Sequence, residues 1–135
     1  MYYTGRLLDH VHLRVADLER SRTFYRAALG ALAPPMTLTE GRDFFEADEL
    51  FVSAADGPGS SVHLAFQAAD RETVRRFHAA ALAGGGTDNG APGERPYHPG
   101  YYAAYVLDPD GNNVEAVFHG PSVRSAAAVV ITPKG

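Results

Sequence analysis

The chain has 135 residues, 45% of them hydrophobic and 21% charged, which is one domain's worth of sequence with enough apolar material for a core. Its 12 basic and 16 acidic residues leave a formal charge of −4 with no basic cluster, so a phosphate backbone finds no counter-surface and nucleic acid is not an expected partner. With no cysteine, disulfides, thiolate zinc sites and a cysteine nucleophile are excluded. The opening Met1-Tyr2-Tyr3-Thr4-Gly5-Arg6 lacks the basic-then-apolar order of a secretory leader, and no apolar run reaches the ~18 residues of a membrane span. A soluble, cytoplasmic protein without membrane partners is the expectation.

In chain order, Leu7 to Val15 reads as a strand, with Val11, Leu13 and Val15 alternating with His10, His12 and Arg14. Asp17 caps a helix that places Leu18, Ser21, Phe24, Tyr25, Ala28 and Leu29 on one face, and Gly30 is expected to end it in the left-handed conformation. Leu32 to Thr39 and Phe44 to Ala55 predict two or three strands, with turns at Gly41-Arg42-Asp43 and Glu46-Ala47-Asp48-Glu49. Asp56-Gly57-Pro58-Gly59-Ser60 reads as a plain linker. Ser61 to Gln67 is the next strand, and Asp70 caps a helix to about Ala83 with Val74, Phe77, Ala81 and Leu82 apolar. Gly84-Gly85-Gly86 is expected to end that helix, and a Gly- and Pro-rich loop to follow it to Pro99. Tyr101 to Leu107 and Asn113 to Phe118 then predict two strands joined by the turn Asp108-Pro109-Asp110-Gly111.

The halves repeat at one offset. Asp17 maps to Asp70, Phe24 to Phe77, Leu29 to Leu82 and His10 to His63, each 53 residues apart. Such self-similarity argues for two copies of one unit, strand, helix, then three strands. The expected fold class is α+β: two tandem βαβββ modules forming a cupped mixed sheet with helices on its outer face. Module one spans about 7–56, module two about 61–119, and a tail follows at 120–135. In the tail, Ala126 to Ile131 is apolar enough for an edge strand or a subunit contact, and a frayed terminus is equally consistent with it.

Strand parity sorts the side chains. If Val11, Leu13 and Val15 face the helix, then His10, His12 and Arg14 face away. If Val62, Leu64 and Phe66 face it, then His63, Ala65 and Gln67 face away. If Val114, Ala116 and Phe118 face it, then Asn113, Glu115 and Val117 face away. His10, His63 and Glu115 therefore share the non-helical face, and two imidazoles with one carboxylate suit a divalent transition metal with an open position for a ligand. The bland reading of any one strand histidine is a solvated residue. The repeat symmetry of the two histidines and a carboxylate set among Val114, Ala116 and Val117 argue for the ligand role.

The run Leu8-Asp9-His10-Val11-His12-Leu13-Arg14-Val15-Ala16-Asp17, with Ser21, Phe24-Tyr25 and Leu29-Gly30, resembles the opening of the vicinal oxygen chelate superfamily. That group includes glyoxalase I, fosfomycin-modifying thioltransferases, extradiol dioxygenases and bleomycin-binding resistance proteins. Leu107-Asp108-Pro109-Asp110-Gly111-Asn112-Asn113-Val114-Glu115 resembles its closing motif, and the likeness extends over about residues 7 to 119. The resemblance implies His10, His63 and Glu115 as ligands to one divalent ion (iron, manganese, nickel, cobalt or zinc). Glyoxalase I has a fourth ligand, a glutamate on the last strand of the first half. Here that strand reads Leu50-Phe51-Val52-Ser53-Ala54-Ala55, so the three-ligand pattern is nearer the thioltransferases and dioxygenases.

Around that centre the expected catalytic residues are Glu115, Tyr105 and His98. Tyr105 shares a face with Tyr101 and resembles a tyrosine of the thioltransferases, and His98 belongs to the loop beside the pocket strands. His12, Arg14, Gln67 and Tyr101 are the expected substrate contacts. Tyr25 and His78 read as structural, and His119 as a surface residue. The resemblance further implies a homodimer with shared sites, His10 from one subunit and His63 with Glu115 from its mate. The expected function is metal-dependent chemistry on a small substrate with vicinal oxygens: isomerisation or lysis, thiol transfer, or ring-cleaving oxygenation. Two alternatives are a resistance-type protein that sequesters an aromatic drug or metabolite at the dimer cleft, and a metal-stabilised structural dimer.

Overall fold

Alternation of apolar and polar side chains turns each module into a sheet with one covered face. In the computed structural model, which describes residues 2–4, 8–123 and 128–135, the elements are β1 (Tyr2–Thr4), β2 (Val11–Val15), α1 (Leu18–Gly30), β3 (Thr39–Glu40), β4 (Phe44–Ala47), β5 (Leu50–Ala54), β6 (His63–Gln67), α2 (Arg71–Ala83), β7 (Thr87–Glu94), β8 (Tyr102–Leu107), β9 (Asn113–Phe118) and β10 (Val129–Ile131). Two four-stranded sheets, ordered β2-β5-β4-β3 and β6-β9-β8-β7, repeat one topology, with the first pair parallel and the others antiparallel. The fold is thus α+β, two tandem βαβββ modules. Among the described residues no strand of one sheet is hydrogen-bonded into the other.

Leu13, Val15, Phe24, Tyr25, Phe45, Val52, Val74, Phe77, Val106 and Val114 are fully buried between sheets and helices. The two aspartate caps form as expected: Asp17 Oδ1 accepts from Arg20 N at 3.1 Å and Asp70 Oδ1 from Thr73 N at 2.7 Å. Arg22, absent from the apolar pattern, is also buried. Its guanidinium is satisfied by Glu19, Glu40 and the Phe44 carbonyl. No helix among the described residues is long and apolar enough to cross a membrane.

The modules are joined by the β8–β9 turn. Asp108 is buried and accepts four hydrogen bonds, from Tyr25 OH on α1 (2.6 Å), Asn112 Nδ2 (2.9 Å), Asn112 N (2.8 Å) and Asp110 N (2.9 Å). Asp110 Oδ2 accepts from Ala16 N, at the end of β2, at 2.8 Å. Asn112 Oδ1 accepts from Val62 N at 2.9 Å, ahead of β6. The aspartates and asparagine of the closing motif therefore fasten both modules together while turning the chain.

Burial, then the charge of Asp108 and the bond to it, raise the Tyr25 phenol well above its usual range. A raised pKa in the fold means the contribution is whole below the unfolded value near pH 10 and fades as pH climbs through the folded one. Tyr25→Phe is expected to lower stability by about 1.5–3 kcal/mol at pH 7, as for loss of a bond to a charged acceptor. That deficit should shrink above about pH 10, by up to about 1.4 kcal/mol per pH unit. Urea titrations of both proteins at pH 7 to 11 check this; a deficit constant across that range counts against it.

Several expectations are corrected. The first core strand begins at Val11, not Leu7: Leu8 to His10 precede it, and Leu7 lies outside the described residues. Leu32 to Leu38 is not a strand; Thr39–Glu40 alone pairs with β4. Gly30 is the last helical residue without left-handed φ, and the cap is Ala31 at φ −87°. The expected loop after α2 holds an eight-residue strand, β7. Its register shifts at Gly90 and Gly93 and its edge position let Pro92 and the glycines be absorbed, because an edge strand needs partners on one side only. In the tail, Val129–Ile131 pairs antiparallel with Tyr2–Thr4, while Ala126 and Ala127 lie outside the described residues.

Candidate metal centre

On β2 and β6 burial alternates as parity requires. His12 and Arg14 are exposed while Leu13 and Val15 are buried; His63, Ala65 and Gln67 are exposed between half-buried Leu64 and Phe66. Glu115 departs from the pattern. It lies on the same face as His63 but is 1% exposed. Its cross-strand neighbours are Ala65 on β6 and Tyr105 on β8. His63 Nε2 lies 2.8 Å from Oε1, and Tyr101 OH donates a short bond to Oε2.

A carboxylate so buried costs several kcal/mol, on the order of what a positive partner returns, unless it is compensated. Among the described residues no Lys or Arg pairs with it. A phenol and an imidazole satisfy its oxygens in the present arrangement. An adjoining imidazole nitrogen and carboxylate oxygen form a donor set that fits a divalent transition ion. Burial first, then the bond to Glu115 and its charge, raise the Tyr101 phenol well above its ordinary range. Tyr105 is raised for kindred reasons, burial first and the Glu115 charge second. Both phenols thus keep their protons at neutral pH. The Arg95 guanidinium lies over the Tyr105 ring at 5.3 Å.

The first module carries no such pair. Among the described residues of one chain, no three His, Asp or Glu side chains form a cluster able to hold a metal ion, so His10 does not join His63 and Glu115 within the chain. His10 Nδ1 is instead 2.7 Å from Asp9 Oδ1. His12 Nε2 is 2.7 Å from Ser53 Oγ, and its ring meets Phe51 edge-on at 4.9 Å. Register explains why the first sheet has no counterpart of Glu115. His12 pairs with Phe51 across β2 and β5, and Ala65, 53 residues after His12, pairs with Glu115 across β6 and β9. Phe51 thus occupies in module one the place of Glu115 in module two, and it stacks on Phe44 at 5.3 Å.

Residues 7–116 match the model of the Glyoxalase/Bleomycin resistance protein/Dioxygenase superfamily. The chain belongs to this superfamily. Among solved structures, this glyoxalase-superfamily chain is similar to a glyoxalase/bleomycin resistance protein from Albidiferax ferrireducens T118, at 31% identity over 82% of this chain and 97% of that one, with a TM-score of 0.67. It is similar to a glyoxalase I mutant from Zea mays, at 29% identity and a TM-score of 0.62, over 86% of this chain but only 47% of the maize one. A glyoxalase-related enzyme from Fulvimarina pelagi shares the fold at 18% identity over 94% and 99% of the two chains, with a TM-score of 0.69. No curated protein sequence matches the chain.

Within this superfamily member the remaining candidates have the following surroundings. Arg14 is exposed, and its backbone N–H donates to Ser60 Oγ at 2.9 Å. Gln67 is exposed at the end of β6. His98 follows β7, with Nδ1 2.9 Å from the Pro99 carbonyl and Nε2 2.9 Å from His119 Nδ1. Tyr101, assigned from the sequence to substrate contact, is the phenol that grips Glu115; Tyr105, assigned to catalysis, lies across from it. His119, read from the sequence as surface, is exposed, and it meets His98 and Tyr101 in one cluster.

Proposed function

We propose that this chain is a divalent-metal-dependent enzyme acting on a small substrate that offers two neighbouring oxygens. Its site is shared between two copies, with His63 and Glu115 from one and His10 from the other. The observation that carries the reading is the buried Glu115 carboxylate set against His63 with no Lys or Arg partner among the described residues. A bound ion there supplies Lewis acidity toward charge developing on a chelated oxygen. Tyr101 holds Oε2 of Glu115 and leaves Oε1 turned to His63. Tyr105 keeps its proton at neutral pH and is a hydrogen-bond donor for a substrate oxygen. With Phe51 where the pseudo-symmetric carboxylate would stand, three protein donors remain, which supports substrate chelation over a closed structural site.

Titrating metal-stripped protein with Zn2+, Mn2+ or Ni2+ should give about one ion per chain. Glu115→Gln should leave the far-UV spectrum unchanged and weaken binding by more than about 100-fold, beyond the roughly 10- to 100-fold typical of outer partners. Binding by the variant equal to that of the parent sinks the metal reading. The sequestration alternative draws on the stacked Phe44 and Phe51 and predicts capture of an aromatic ligand by metal-stripped protein with undiminished affinity.

A further inference from the structure

Two loops meet beside this centre in a way the metal site does not require. Gly100 and Gly120 both have left-handed φ, +90° and +87°, and their backbones abut: a Cβ on either would lie 3.2 Å from an atom of the other loop. This contact brings His98 and His119 together. Their rings are nearly parallel, at 19°, with centroids 5.1 Å apart and His98 Nε2 2.9 Å from His119 Nδ1. Tyr101 packs edgewise on both rings at 5.3 Å, and its hydroxyl is on Glu115.

The hydrogen-bond chemistry fixes the tautomers. The Pro99 carbonyl can only accept, so His98 Nδ1, 2.9 Å away, carries the proton. Neutral His98 then has a bare Nε2, which accepts from His119, so the His119 proton is on Nδ1. Neutral His119 is left with a bare Nε2, which has no hydrogen-bond partner among the described residues. Both nitrogens of His98 are engaged, and both oxygens of Glu115 are bonded. His98 therefore has no free lone pair in this arrangement, and Glu115 is committed to His63 and Tyr101. His119, packed on the Tyr101 ring whose hydroxyl is on Glu115, does have one, at Nε2.

We propose that His119 Nε2 is the proton acceptor for a ligand chelated at the His63–Glu115 site, and that His98 is the positioning residue that fixes its tautomer. The role rests on the metal reading above; the tautomers do not. A proton leaves an acidic C–H or O–H of the ligand for Nε2, the electron pair stays on the ligand, and the resulting imidazolium donates from Nδ1 to His98.

Histidine-selective 15N NMR of the metal-free protein is expected to show both His98 and His119 protonated at Nδ1, and His98→Phe should shift His119 away from that tautomer. Diethyl pyrocarbonate, read by peptide mass mapping, should then modify His119. Modification should persist with Zn2+ alone and be lost with Zn2+ plus acetohydroxamate, a chelator with two adjacent oxygens. A wild-type His119 protonated at Nε2, or unchanged modification with both additives bound, overturns the proposal. If Zn2+ does not bind, the metal reading and the acceptor role fall together, while the tautomer pattern is still read from the NMR spectrum.

Discussion

Replacing Asp108 with alanine is expected to cost about 3–5 kcal/mol of folding free energy, the range for removing one partner from a buried charged network. The carboxylate is 4% exposed and accepts from four donors. Removing it strands the Tyr25 hydroxyl, the Asn112 amide and two backbone N–H groups, each at about 1–3 kcal/mol where water cannot reach. Those nearest the turn surface recover solvent, which keeps the total below the simple sum. Against a typical stability of about 5–15 kcal/mol, the variant lies near the folding threshold. Urea denaturation at pH 7 checks this, with Tyr25→Phe as the control that removes one of the four bonds. A loss under about 1 kcal/mol would show that the turn is not the clasp between modules.

The offset of 53 residues made the module architecture legible, because caps, core aromatics and helix ends recur together. Parity made the exposed face legible for β2 and β6, whose inward residues are apolar. It was weaker at β7, where Pro92 and two glycines mimic a loop and the bulged edge geometry that accommodates them depends on pairing with β8. Gly30 ends the helix without left-handed φ because the chain closes on three-residue turns instead, Ala31 N–H donating to Ala28 and Leu32 N–H to Leu29. The clasping role of Asp108 was hidden for another reason. Its partner Tyr25 is 83 residues away, and no local pattern records such a contact.

The site divides similarly. That His63 and Glu115 share a face followed from alternation, but the burial of Glu115 did not, since it depends on the flanking Tyr101 and Tyr105. The two tyrosines are four residues apart on one face, and by sequence Tyr105 rather than Tyr101 takes the place nearer the metal. In the structure it is Tyr101 OH that bonds Glu115, while Tyr105 is its cross-strand neighbour. His98 could be placed near the pocket strands, yet its pairing with His119 depends on the Gly100–Gly120 approach, a long-range backbone contact.

Metal capacity lost in two single variants should return when they are mixed. In the shared-site arrangement His10→Ala and His63→Ala each leave every site of a homodimer short of one donor. A mixed dimer has one site lacking both histidines and one with neither missing, because each chain contributes its intact residue to the same two-fold related pocket. Random exchange makes about half the dimers mixed, each with one whole site of two, so capacity should recover to about one quarter of the parent. A site assembled within a single chain predicts no recovery at any ratio. The first sheet ends at β2 and the second at β6, and neither strand is bonded to the other sheet among the described residues. Edges of this kind accept a second chain. Differently tagged chains verify that mixed dimers form. If they form and bind no more Zn2+ than the single variants, His10 does not complete the centre, and the open position on His63 and Glu115 must be filled by another donor.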